Sequence, residues 1–337
     1  MKNFILILSI LFIAACSAPS EITNNDISGE AVLKHVDVLS SDDFMGRMPF
    51  TEGETKTINY IKEQYEAIGL APGNGDSYFQ EVPMVELEAV DFGPFEIKGV
   101  SGTQTLDFKT DYVALSRRVT EDIEVVDSEL VFAGFGVVAP EYDWNDYDGL
   151  DVEGKTVVVL VNDPGFNSGN DQRFKGDAMT YYGRWTYKYE EAARQGAAGI
   201  LIVHDTEPAS YPWAVVENGW TGPNLYLNAD DNNMSRCAFE GWISLSVAKG
   251  LFEQGGFEDY DFTSEAQKQD FTGFSLNQNL SLSFKNLIEP SSSKNVAGLL
   301  KGTENPDEVI IYSGHWDHLG IGFPVDGDSI YNGAVDN

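Results

Sequence analysis

Val309-Ile310-Ile311-Tyr312-Ser313-Gly314-His315-Trp316-Asp317-His318-Leu319-Gly320 is the stretch on which the reading of the fold turns. Its first four residues are apolar without alternation, the pattern of a strand covered on both faces in the middle of an α/β sheet. The polar residues that follow then lie at the carboxyl end of that strand, where open α/β sheets place their ligands. If the chain stays extended, His315 and Asp317 share one side and Trp316 and His318 the other. A histidine with a carboxylate two residues on suits a metal ligand and the acidic partner that orients it. Asp336 ends the turn Gly333-Ala334-Val335-Asp336 and offers a second carboxylate to the same place. Structural zinc takes about four protein ligands and catalytic zinc about three, so spacing alone leaves the metal reading open.

Upstream, Leu280, Leu282 and Phe284 alternate as a half-buried strand, and Asn295 to Leu300 reads as a second. Further back, Leu130 to Phe132 and Thr156 to Val161 read as buried strands, parted by the turn-rich Ala139 to Asp143. A helix follows through Trp185, Tyr189, Ala192 and Ala193 to Gly196, then the strand Gly199 to Val203. This middle module, α/β or β-rich, has a soft end near Phe274, because Ser264 to Asp270 has the composition of one more helix. Two helices open the chain. Ser28 is placed to cap the first, with Val32, Val36 and Leu39 at helical spacing. The second has Thr51 and Glu54 at capping-box spacing, the stripe Ile58, Ile61, Tyr65 and Ile68, and Gly69 as its stop. His35 and His204 read as ordinary polar-rim histidines.

The 337 residues suffice for two domains with separate cores. Fifty-four acidic against 21 basic residues give a formal charge of -33, which would repel a phosphate backbone and argues against a nucleic-acid partner. Lys2 followed by the apolar Phe4 to Ile13 has the form of a signal segment, too short for a membrane-spanning helix. It ends in Ile13-Ala14-Ala15-Cys16, which resembles a bacterial lipobox. That implies lipidation at Cys16, a polar tether from Ser17 to Asn25, and a membrane-anchored place in the bacterial cell envelope, periplasmic or cell-surface. Cys237 would then be the one cysteine of the mature body, unable to form an intrachain disulfide and expected as a buried thiol.

Gly314-His315-Trp316-Asp317-His318-Leu319-Gly320 with Asn332-Gly333-Ala334-Val335-Asp336-Asn337 resembles the motif pair of the co-catalytic di-zinc aminopeptidases, which include bacterial leucyl aminopeptidases, aminopeptidase Y and, more distantly, glutamate carboxypeptidase. Leu39 to Arg47 and Tyr60 to Leu70 resemble that family's N-terminal helices. Val131 to Gly136 and Tyr181 to Trp185 resemble its inserted protease-associated domain. The resemblance implies an α/β fold, an incomplete zinc-exopeptidase-type sheet carrying an inserted β-rich domain. Its divisions are a signal peptide at 1–16, a tether at 17–25, the N-terminal part of the peptidase domain at 26–110, the protease-associated domain at 111–275 and the start of the catalytic domain at 276–337. It further implies two zinc ions, His315 as ligand to one, Asp336 bridging both, Asp317 as the acidic residue that tunes His315, and a peptide substrate. His318 has no role in the motif. The family's Glu pair and its last Asp or Glu and His ligands follow the bridging Asp and have no counterpart here. The resemblance therefore points to a C-terminally truncated metallopeptidase, of aminopeptidase type by the closeness of the motifs. Alternatives are a lipid-anchored, non-catalytic peptide- or protein-binding module and a cyclase-like or receptor-like relative.

Overall fold

In the computed structural model, which describes residues 28–336, the chain divides into two units. One combines the segment ending at Ala71 with the segment beginning at Gly298, and the other is Pro72–Ala297. The expected signal segment, the expected lipidation at Cys16 and the expected tether lie outside the described residues. Among the described residues no helix is long and apolar enough to cross a membrane.

In the first unit, helix α1 (Gly29–Leu39) starts where the Ser28 hydroxyl accepts from the Ala31 N–H at 3.3 Å. Helix α2 (Glu52–Ala67) is capped by Thr51, whose hydroxyl accepts from Gly53 N at 3.1 Å. Glu54 reaches back to the Phe50 N–H, one residue before the cap, so one first-turn donor and one donor of the entering chain are satisfied by side chains. Gly69 follows at φ +80°, a left-handed stop that needs no Cβ. The apolar stripe packs unevenly: Ile58 is buried, whereas Ile68 is 71% exposed.

The second unit is a mixed α/β structure on one ten-stranded sheet. Its strands are β1 (Phe79–Val90), β2 (Phe95–Gly99), β3 (Gly102–Leu106), β4 (Tyr112–Leu115), β5 (Asp122–Phe132), β6 (Thr156–Leu160), β7 (Gly199–His204), β8 (Asn224–Leu227), β9 (Phe239–Ser244) and β10 (Phe274–Val296). The order is 8-1-10-5-6-7-9-4, with the β2–β3 hairpin paired to β10. Strands 5, 6, 7 and 9 run parallel, and β4 and β10 flank them antiparallel. The parallel strands read as unbroken apolar runs because both faces are covered. One face of β6 and β7, Val158, Leu160, Leu201 and Val203, joins the core of helix α4 (Leu245–Gln254) through Val247 and Leu251. The other, Val157, Val159, Ile200 and Ile202, meets helix α3 (Trp185–Arg194) at Tyr189 and Ala192. The unit extends beyond residues 111–275 at both ends, taking in β1 to β3 and all of β10.

Leu280, Leu282 and Phe284 alternate inward on β10, at 0, 2 and 3% exposure. Asn295 to Leu300 is divided: Asn295 and Val296 end β10, and Gly298–Leu299 forms a separate two-residue strand. β10 continues in unbroken antiparallel register on β1 from Lys285–Val90 to Val296–Phe79, so the Pro290-Ser-Ser-Ser293 run between the two expected strands is held by its neighbour. Only a short helix, Phe262–Ala266, forms near the expected 264–270.

The expected central strand at Val309 to Tyr312 is corrected by the structure. These residues carry no regular secondary structure, and their side chains are 73, 81, 80 and 93% exposed. A strand apolar on both faces needs paired neighbours and two covering layers, and among the described residues no strand pairs with this one. The longer strands of the first unit form instead a small hairpin, β11 (Gly320–Val325) and β12 (Asp328–Tyr331).

Two buried ionisable groups lock the loop after β5. Asp146 accepts from Phe135 N at 3.1 Å, Val137 N at 2.9 Å and Trp144 Nε1 at 2.8 Å. Lys188, fully buried on α3, donates to the carbonyls of Phe135 at 2.6 Å and Asn162 at 2.7 Å. Burial pushes the Asp146 carboxyl up and the Lys188 ammonium down, and the carboxylates of Asp146 and Asp163 oppose the second shift. Removing the Lys188 ammonium strands the buried Phe135 and Asn162 carbonyls, at about 1–3 kcal/mol each. Lys188→Met should therefore lower the unit's melting temperature by roughly 10 °C in calorimetry; an unchanged transition would mean the group contributes nothing. Cys237 is fully buried and burial raises its thiol pKa. In a Cys16→Ser background the native chain should be inert in a dithiobis-nitrobenzoate assay and release a full equivalent only once denatured.

Candidate metal centre

Arg47 is the residue around which the first unit's polar cluster is arranged. The 3-10 segment Asp42–Arg47 ends with Met45, Gly46 and Arg47 all in the left-handed region, at φ 52°, 67° and 53°. This turn presses backbone against the hairpin: a Cβ on Gly46 would lie 2.5 Å from the Gly320 carbonyl oxygen and 2.7 Å from that of Tyr331. Only glycine fits both the angle and the space. Arg47, 3% exposed, then gathers three segments by their carbonyls. Nη1 donates to Leu39 O at 2.7 Å and Asn332 O at 2.7 Å, Nη2 to Gly333 O at 3.1 Å, and Nε to Trp316 O at 3.0 Å. Its own carbonyl accepts from His318 N at 3.2 Å. Asn332 adds bonds to Ser40 O at 2.8 Å and to the Asp42 carboxylate at 2.9 Å. Burial lowers the guanidinium pKa, while the nearby carboxylates of Asp317 and Asp336 raise it; an arginine in this setting keeps its charge.

On this base the structure brings His315, Asp317, His318 and Asp336 together. His315 Nδ1 lies 2.9 Å from the Asp317 carbonyl oxygen and 3.4 Å from its carboxylate. His315 Nε2 is 3.4 Å from Asp336 Oδ1, and His318 Nδ1 is 3.5 Å from Asp336 Oδ2. Each oxygen of Asp336 therefore faces a different imidazole. His315, Asp317 and Asp336 are half exposed, at 48, 49 and 55%, so a ligand could approach them, whereas His318 is 14% exposed. Gly333, at φ +61°, lets the turn pass the His318 ring, which a Cβ would meet at 2.6 Å.

Two sequence expectations change here. His318 does not point away from His315: residues 313–319 form no strand, so strand alternation does not apply, and both rings reach Asp336. Arg47 had no assigned function in the sequence, and its only local signal is the glycine before it. His35 and His204 stay apart from the cluster. His35 Nδ1 bonds the Tyr60 hydroxyl at 2.7 Å, and buried His204 bonds the Tyr211 carbonyl at 3.1 Å, with its pKa lowered by burial.

The donors suit zinc in kind, imidazole nitrogen and carboxylate oxygen. Bonds of about 2.0–2.1 Å to a tetrahedral ion place two donor atoms about 3.3–3.4 Å apart, which the His315–Asp336 separation of 3.4 Å matches. In number they fall short. Among the described residues no group of three or more His, Cys, Asp or Glu converges as a metal cage would.

No protein-family model matches the chain, and no curated protein does. Among solved structures it is similar to an aminopeptidase from Aneurinibacillus sp. strain AM-1, at 15% identity and a TM-score of 0.36, over 84% of this chain and 50% of that one. A zinc aminopeptidase from Bacillus subtilis matches at 13% identity and a TM-score of 0.30, over 82% and 48%. A peptidase M28 precursor from Shewanella amazonensis SB2B matches at 16% and 0.33, over 92% and 61%. The chain spans about half the length of the first two. Likeness at this level carries no argument about the site, which rests on the residues above.

Arg47→Met would leave four backbone carbonyls without their charged donor, each worth roughly 1–3 kcal/mol when stranded. Amide exchange in Gly320–Tyr331 should accelerate by at least about tenfold. Unchanged exchange, read by mass spectrometry, would show that Arg47 does not hold the hairpin.

Proposed function

We propose that this polypeptide belongs to a zinc-dependent metallopeptidase of aminopeptidase type, which hydrolyses N-terminal residues of peptides. The observation that carries the reading is the double engagement of Asp336: one oxygen at ligand–ligand distance from His315 Nε2, the other beside His318 Nδ1. A carboxylate facing two ways is what a bridge between two ions requires. Zinc, when bound, would polarise a scissile carbonyl and lower the pKa of a water molecule.

The chain's own residues would do the rest by position. His315 carries its proton on Nδ1, donated toward Asp317, which leaves the Nε2 lone pair directed to the metal side. Asp317 thereby fixes the tautomer and ring orientation of His315. Arg47 holds the segments bearing both ligands by their carbonyls, so that the donors are set before the metal arrives. No described residue is assigned as general base, and His315 with Asp336 make up two of the three protein donors that catalytic zinc commonly uses.

The proposal includes the middle region 111–275 as an inserted protease-associated domain within an α/β exopeptidase fold, and anchoring to the cell envelope through Cys16. A second reading, a lipid-anchored binding module without catalysis, is favoured by the absence of a three-donor group among the described residues.

Zinc affinity, measured by chelator competition on the whole chain, separates these. His315→Ala and Asp336→Asn should each weaken binding by about 100-fold or more, and Asp317→Asn by about 10–100-fold. Equal zinc affinity in all three variants would sink the peptidase reading. Retained peptide binding with no zinc bound to the parent chain would favour the second.

A further inference from the structure

A cavity of about 330 Å³ opens in the second unit, at the carboxyl ends of the parallel strands β6 and β7 and beside the start of α4. At the carboxyl ends of parallel strands, side chains of successive loops converge on one place, which is where α/β sheets build ligand sites. Phe135, Leu160, Phe166, Val203 and Leu245 give it an apolar lining. Asp205 and Glu207, which follow β7 directly, are its only charged lining residues.

The hydrogen-bond accounting selects a donor as ligand. The side-chain donors of the lining already serve the protein. Gln267 Nε2 bonds Phe166 O at 2.6 Å, and Asn167 Nδ2 bonds Glu207 Oε1 at 3.5 Å. The Thr263 and Ser264 hydroxyls bond the two oxygens of Asp261 at 2.8 and 2.7 Å. Neighbouring cations are engaged as well. Lys188 is held by the Phe135 and Asn162 carbonyls, Lys268 by Glu265, and Arg173 by the Gln267 carbonyl and the Trp144 ring. The Asp205 carboxylate has no hydrogen bond among the described residues. The cavity therefore presents acceptors and negative charge above an apolar floor.

We propose that this cavity binds a small organic cation, an ammonium group on an apolar body. Asp205 and Glu207 receive the ammonium, and Phe135, Leu160 and Leu245 pack the body. The site lies wholly within the second unit and depends on neither reading of the metal centre.

The test is calorimetric titration of the whole chain, with chelator present, using phenethylamine, its neutral N-acetyl derivative and the anion 3-phenylpropionate. Phenethylamine should bind, and the two analogues at least about tenfold more weakly, since each lacks the charge-assisted donor. Asp205→Asn and Glu207→Gln, near-isosteric changes outside the buried hydrophobic clusters, should weaken phenethylamine by about tenfold each while leaving the melting temperature unchanged. The proposal is overturned if phenethylamine does not bind, if an analogue binds as tightly, or if both variants bind it undiminished.

Discussion

Arg47 is the constraint from which the first unit's polar cluster follows. A planar cation with five donors can hold four carbonyls from three separated segments at once, one more than the three donors of a lysine allow. Leu39, Trp316, Asn332 and Gly333 are thereby held around one guanidinium. The left-handed turn at Met45 to Arg47 brings that side chain into place, and the missing Cβ at Gly46 admits the hairpin. The nearness of His315, His318 and Asp336 results from this anchoring, because the segments that carry them have almost no ladder of their own.

The second unit is stabilised differently. Its parallel strands bury both faces, so apolar packing supplies most of the driving force. The loop that leaves β5 cannot be satisfied by a ladder, and Asp146 and Lys188 supply its partners from opposite sides. A lysine and a carboxylate placed together in a core are tolerated because each meets backbone groups that would otherwise lack partners. The same arrangement shapes the wall of the cavity at Phe135.

Much of the local structure is legible in the residues. Ser28 and Thr51 cap their helices, Gly69 stops the second, and the Thr156–Leu160 and Gly199–His204 runs are buried strands. These features depend on near neighbours in sequence and on apolar runs, which composition displays. The continuous β10 was not legible, because its Pro-Ser-Ser-Ser stretch is extended only through pairing with β1. Val309 to Tyr312 failed in the opposite sense: four apolar residues have the propensity for a strand, and without paired neighbours they form none.

For the candidate site the division is similar. The sequence by itself put His315, Asp317 and Asp336 forward as candidates, because residue type, short spacing and the likeness of the motif pair are all readable along the chain. Only the tertiary structure decided that Arg47 organises them and that His318 faces the second oxygen of Asp336. Those contacts join residues far apart along the chain, and no local pattern encodes a distance that only the folded backbone closes.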